Sequence, residues 1–351
     1  MFSDNQKISN RQLIRLLDYD ALGISTLVLP TALTRILGKD AVFAIGLALL
    51  PAFFMIPMLQ RAVKKLRQGG LPGWVRYPAG IFYSVEGCLL AAYGAYLLGD
   101  MITKNLLVEE SFYLVVLFIF VLGGYGISHG IEGRARIYEL LYWILLVPLI
   151  LMLFLAARDV DVDLWTPIAT HGIRELLQGT GMVFLFYMIS AAAFFLTPYL
   201  RKPDCAGRCC RKSMVFAAGI NAVVCLLLTG IFGERTLRTM DYPIITLMSM
   251  VKLPGGFLER QDVFMVAIWF FTLYAFVNTG MFFASDLPQK LWKRSKKGIW
   301  IGCALVLTFL FTVCIYRYAV CRTIFVSIQY GVVLPVSLLL LFILCIRRKK
   351  I

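Results

Sequence analysis

The sequence predicts an all-α, polytopic membrane protein with ten transmembrane helices, and three observations carry that reading. Hydrophobic residues fill 60% of the 351 positions and the mean hydropathy is +0.79, more apolar surface than a single soluble core can hide. Ten apolar stretches approach the ~20 residues a helix needs to span the hydrocarbon. Between them, strongly basic segments alternate with mixed or acidic ones. The runs are continuous and lack the in/out alternation of barrel strands, which excludes a transmembrane β-barrel.

Taken in order, span 1 runs approximately from Gln12 to Ile36 and span 2 from Ala41 to Val63, followed by Arg61, Lys64, Lys65, Arg67 and Arg76. Span 3 (Pro78 to Leu98) leads to Asp100, Glu109 and Glu110, and span 4 (Ser111 to Ser128) to Arg134 and Arg136. Span 5 (Glu139 to Ala157) is followed by Asp159, Asp161 and Asp163; span 6 (Gly181 to Leu200) by Arg201, Lys202, Arg208, Arg211 and Lys212. After span 7 (Ser213 to Phe232), the segment Glu234 to Arg260 is expected to hold a short helix on the outer face, ended by Pro254-Gly255-Gly256. That helix is either a lid over a ligand path or a docking surface, and the Glu259-Arg260 pair would staple it to span 8. Span 8 (Asp262 to Ser285) precedes Lys290, Lys293, Arg294, Lys296 and Lys297. Span 9 (Ile299 to Tyr316) and span 10 (Thr323 to Ile346) complete the set, with Gly331 and Pro335 marking a packing kink and Arg347 to Lys350 a basic tail. The positive-inside rule places the basic loops and both termini in the cytoplasm, as an even number of crossings requires. All of 1–351 forms one integral membrane domain.

The net charge of +15 follows topology and attraction to anionic lipid rather than nucleic acid, which would need charge interleaved with aromatics on a polar domain. No cleavable signal peptide is expected, because the first apolar run continues into a spanning helix. The nine cysteines are mostly intramembrane or cytoplasmic, against a disulfide framework. Cys205, Cys209 and Cys210 form a cluster without the paired spacing or fourth ligand of a zinc site. With two histidines (His129 and His171) and no HExxH, GxGxxG or P-loop motif, no metal, cofactor or enzymatic activity is expected. Moving or sensing a solute remains.

Transporters often break helices at the membrane midplane, exposing backbone groups to substrate. In span 1, Gly23, Ile24, Ser25 and Thr26 fall near the midplane at ~1.5 Å rise per residue, with Pro30 one turn on. Gly23 lowers the cost of unwinding and the two hydroxyls offer partners to freed backbone groups. Span 6 supplies a counterpart in Tyr187, Ser190 and Ala191. The competing explanation is close packing of small residues between membrane helices. Spans 1 and 6 run in opposite directions, the relation expected of inverted repeats over approximately 12–157 and 181–346.

Lys7-Ile8-Ser9-Asn10-Arg11-Gln12-Leu13, leading into Gly23-Ile24-Ser25 and Leu29-Pro30, resembles the opening of the spore germination permease family. So do Thr197-Pro198-Tyr199-Leu200, and Tyr242-Pro243 with Leu247, Phe257-Leu258-Glu259-Arg260-Gln261-Asp262 and Trp269. These proteins are the membrane B subunits of nutrient germinant receptors, within the amino acid, polyamine and organocation transporter superfamily. The resemblance implies a LeuT-like 5+5 inverted repeat with interrupted spans 1 and 6. It also implies a small-molecule site between those spans, lined in part by spans 3 and 8, and an inner-membrane location beside other receptor subunits. Ser25 stands where family members often carry a second glycine, and Ile189-Ser190-Ala191 where they often show a Gly-Phe-Glu-like element.

Ionisable groups inside the membrane are further candidates, since burying an unpaired charge costs at least ~3 kcal/mol. Asp18 and Asp20 in span 1, Glu86 in span 3 and Asn278 in span 8 lie at similar depth and could together form a proton or cation site. An i,i+3 pair with Arg15 is the competing role for Asp18. Three functions follow. The first is a germinant receptor subunit that binds a small nutrient, an amino acid above all, between spans 1 and 6. In it, backbone N–H groups near Gly23 to Thr26 would hold a carboxylate and Ser190 would add a hydroxyl. The second is a secondary amino acid transporter coupled to protons or cations. The third is a channel or structural subunit whose site has decayed.

Overall fold

The computed structural model describes residues 7–67, 73–107, 109–166, 169–191, 195–251, 261–292 and 297–339. Helix α1 (Asn10–Leu37) is set by its first turn. Ser9 Oγ accepts from the Gln12 amide at 3.2 Å, and the Ser9 amide donates back to Gln12 Oε1 at 2.8 Å, a reciprocal cap. Its end is set by Gly38 at φ 49°, a left-handed conformation that a side chain would strain.

There the chain turns back. Asn10, at the start of α1, and Gln60, fifty residues on, both lie against the N-terminal end of α8 (Ala206–Leu237): Cys209 Sγ donates to the Asn10 carbonyl at 3.8 Å and Gln60 Nε2 to the Asp204 carbonyl at 3.0 Å. Span 2 therefore returns antiparallel to span 1, as α2 (Ala41–Leu47) and α3 (Leu49–Arg67) with a step at Ala48. Spans 3, 4 and 5 are α4 (Gly73–Asn105), α5 (Phe112–Ser128) and α6 (Gly130–Ala156). Span 6 is α7 (Ile173–Ala191), followed by a short turn at Thr197–Tyr199; span 7 is α8. The expected outer helix is α9 (Pro243–Met250), while Pro254-Gly255-Gly256 and Glu259-Arg260 lie outside the described residues. Spans 8 and 9 are α10 (Gln261–Leu291) and α11 (Lys297–Arg317). Span 10 begins as α12 (Ala319–Ile328) and continues through a π-helical turn, Gln329–Val333, beside the Gly331 kink site.

Seven helical stretches of the described residues are long and apolar enough to cross a membrane, the first of them, Asn10–Arg61, holding both arms of the first hairpin. Apolar side chains face outward on the peripheral helices, among them Leu117, Leu140, Phe154 and Val306, as a hydrocarbon solvent allows. The interior is built on α1, α4, α8 and α10, where α4 pairs most extensively with α10 and α1 with α8. At the α4–α10 crossing, a Cβ on Gly87 would stand 2.8 Å from the Gly280 carbonyl oxygen, and one on Gly280 would stand 2.7 Å from that of Gly87. Two backbones thus touch where any side chain would part them.

At the end where α1 begins, the strand-like segment before that helix is bonded to the segment after span 6. The Ile8 amide donates to the Tyr199 carbonyl at 2.8 Å, the Arg201 amide to the Ile8 carbonyl at 3.1 Å, and Lys7 Nζ to the Pro198 carbonyl at 2.7 Å.

A closed cavity beside the midpoint of span 1

The middle of α1 is unbroken helix, which differs from the expected interruption at Gly23 to Thr26. The hydroxyl of Thr26 donates to the Leu22 carbonyl at 2.6 Å, so it supports the helix instead of receiving freed backbone. Gly23 serves approach: a Cβ there would stand 2.8 Å from the carbonyl carbon of Thr272 on α10. Backbone N–H groups here are engaged within the helix and present no carboxylate site in this state.

The polar side chains of this stretch reach across the bundle instead. Trp269 Nε1 on α10 donates to Thr26 Oγ1 at 3.0 Å, and Asn221 Nδ2 on α8 donates to Ser25 Oγ at 2.8 Å. Ile24 is buried in the core. Beside Thr26 lies a cavity of about 20 Å³ lined by α1, α6 and α10, including Tyr19, Leu22, Tyr142, Leu149, Trp269 and Thr272. It has room for a water or two but none for an amino acid. Span 6 does not line it: Tyr187 turns toward span 2 and donates its hydroxyl to the Ile45 carbonyl at 3.0 Å. Ser190 and Ala191 lie in the last turn of α7, with side chains outside the described residues.

The four candidate ion-coupling residues occupy separate places. Asp18 accepts the Tyr142 hydroxyl at 2.9 Å through Oδ2, and the Ser213 hydroxyl on α8 is the second partner of its buried carboxylate. Arg15 acts on it as a nearby positive charge and not through a direct ion pair, because that guanidinium turns to Glu139 at 3.3 Å and lies over the Tyr142 ring. Glu86 is buried, with the side chain of Gln329 on the π-helical turn of span 10 as its hydrogen-bond partner. Asn278 faces span 4, near Gly123 and Gly126. Asp20 accepts from Thr279 Oγ1 at 3.0 Å, and Thr279 in turn accepts from Arg134 Nη2 at 2.6 Å. Arg134 thus departs from its expected role as a loop charge, since it is 4% exposed and sits between α1, α6 and α10.

The C-terminal end of span 1 and the segment leading into span 6 are clamped by a residue the sequence did not single out. Asp40 receives the amides of Ala169, Thr170 and His171 at 2.7, 2.9 and 3.1 Å, and His171 Nδ1 at 2.9 Å. Burial would raise its pKa, but the His171 and backbone hydrogen bonds outweigh it and hold the carboxyl below its ordinary value. The neighbouring Lys39 ammonium donates to the Thr166 carbonyl.

A family profile described as "Spore germination protein" matches residues 7–319. The spore germination protein YndE of Bacillus subtilis (strain 168) is 22% identical over 301 residues, 82% of this chain and 81% of its own length. From the same organism, spore germination protein A2 is 18% identical over 293 residues, covering 81% and 80%, and B2 is 21% identical over 180 residues, covering 51% and 49%. Among solved structures, Mhp1, a nucleobase-cation-symport-1 family transporter in a closed conformation with bromovinylhydantoin bound, superposes with a TM-score of 0.62. That match spans 95% of this chain and 77% of Mhp1 at 12% identity, and it fixes the fold as the LeuT-like arrangement expected.

Proposed function

Since the chain belongs to the spore germination protein family, we propose that it is the membrane subunit of a nutrient germinant receptor and signals when a small amino acid binds beside the middle of span 1. The observation that carries this reading is the convergence of Thr26, Trp269 and Thr272 on one small closed cavity, with Ser25 tied to Asn221 on the opposite side of the same helix turn. Here α1 meets α6, α8 and α10, so a ligand that separates them alters the whole bundle. It acts only through unequal affinity for the closed and opened states. The cavity lies against spans 1, 5 and 8, so the ligand enters from that side and span 6 contributes through its ends. Partner subunits read the change, both termini lie in the cytoplasm, and the bundle sits in the inner membrane; the basic inner loops support that orientation.

Equilibrium binding of labelled small amino acids to the protein in nanodiscs tests the reading. Saturable binding that is lost in Gly23→Leu and weakened in Trp269→Phe is expected. Binding unaffected by both substitutions would refute the pocket.

A second reading, proton- or cation-coupled transport, is favoured by one observation: the buried carboxylate of Asp18, held by hydroxyls and one hydrogen bond from cavity-lining Tyr142. Flux into proteoliposomes separates the two.

A further inference from the structure

If the ligand is an amino acid, its charged ends need partners, and span 1 does not offer them: α1 is continuous, and no charged side chain lines the cavity. One buried cation among the described residues has donors to spare. Arg134 uses Nη2 on Thr279 and meets the Tyr138 hydroxyl, which leaves part of its five-donor fork uncommitted. A guanidinium removed from water with donors left over is costly, and its planar fork matches a carboxylate. Its counter-charge, Asp20, is 2% exposed and reached only through the Thr279 hydroxyl, which accepts from Arg134 and donates to Asp20. Its remaining neighbours among the described residues are the Tyr138 and Phe282 rings, each 5.8 Å from the guanidinium, and the Tyr138 hydroxyl, which hydrogen-bonds to it.

Resting on the amino acid reading above, we infer that Arg134 and Asp20 are the zwitterion-recognition pair of the site, Arg134 taking the ligand carboxylate and Asp20 its ammonium. A hydroxyl holds the two charges apart in the closed state, in the place that a ligand's Cα and its two charged groups would take over. Charge balance favours a zwitterion over either ion alone. The empty pair is neutral and stays neutral with a zwitterion bound, whereas a bare anion or cation would leave one uncompensated charge in the membrane interior. The route to the cavity is short: Tyr19 lines it and stacks on Tyr138 with ring centroids 5.1 Å apart. A turn of Tyr19 joins the charged site to the apolar one, which receives the ligand's side chain.

The test uses the whole protein in nanodiscs, with labelled L-alanine, L-valine and L-leucine as probes and their amides and deamino acids as competitors. Binding of any probe to the wild type decides the amino acid reading; its absence overturns that reading and this inference together. Given binding, the wild type should prefer the acid over its amide at least tenfold. Arg134→Gln should weaken the acid at least tenfold while leaving the amide within a few-fold, erasing the preference. Asp20→Asn should likewise erase discrimination between the amino acid and its deamino acid. A merely structural Arg134 would weaken acid and amide alike, which overturns the inference and leaves the functional reading standing. Should Arg134→Gln fail to fold, the wild-type competition still decides, because an amide that competes as well as the acid overturns the pair.

Discussion

Gly23 and Thr26 show how a residue's importance can be legible in sequence while its role is not. Both stand out as small or polar groups at the midplane, but their partners, Thr272 and Trp269, lie more than 240 positions away, and helical spacing within span 1 says nothing of them. The consequence for Gly23→Ala is overpacking against α10 backbone, which cannot rotate aside as a side chain could. We expect a loss of ~1–3 kcal/mol, read from thermal unfolding in detergent. Thr26→Val removes the acceptor of the buried Trp269 indole N–H and should cost ~1–3 kcal/mol; the Thr26→Val, Trp269→Phe double variant should cost less than the two singles added. Arg134 was misread for a related reason: a basic residue soon after a span looks like topology, and only tertiary contact with Asp20 and Thr279 distinguishes it.

At the scale of elements, the spans were the most legible feature, because apolar length depends on the bilayer and little else. Less legible were the joints between them. Asp40 sits in the short link between spans 1 and 2, and its partners belong to the segment leading into α7. Its carboxylate is stabilised in the folded protein, so its pKa is lowered there. The stabilisation is therefore complete above the unfolded value of ~3.9 and is lost as pH falls through the lower folded value. Wild-type stability should decline across that acidic window, whereas Asp40→Asn should start about 2 kcal/mol lower and show a flatter profile there; equal slopes would remove the clamp from the account. The α4–α10 crossing makes a sharper demand, since Gly87→Val would drive two backbones apart, and that variant should fail to give a monodisperse protein. Span 1 kept its helix through a stretch that looked breakable, because Thr26 bonds to the Leu22 carbonyl within α1 and Gly23 is occupied in packing.

For the whole molecule, charge asymmetry is the property most directly inherited from sequence. Arg61, Arg201 and Arg208 lie at the end where α1 begins, whereas Asp159, Asp161 and Asp163 belong to the opposite end. In a cysteine-free background, Arg208→Cys should resist a membrane-impermeant thiol reagent in intact cells while Asp163→Cys reacts; the reverse pattern would invert the proposed topology. Several residues that carried the family resemblance prove to be joints between distant parts: Trp269 reaches Thr26, Tyr242 donates its hydroxyl to Asp100 at 2.7 Å, and the Lys7-Ile8 segment binds Pro198 and Tyr199. The last of these imposes an order on biosynthesis. Lys7 and Pro198 are separated by 191 positions, and at ~5–20 residues per second the ribosome needs roughly 10–40 s to make the second after the first. During that interval the segment before α1 has no mate, so this end of the bundle is sealed only after span 6 has emerged.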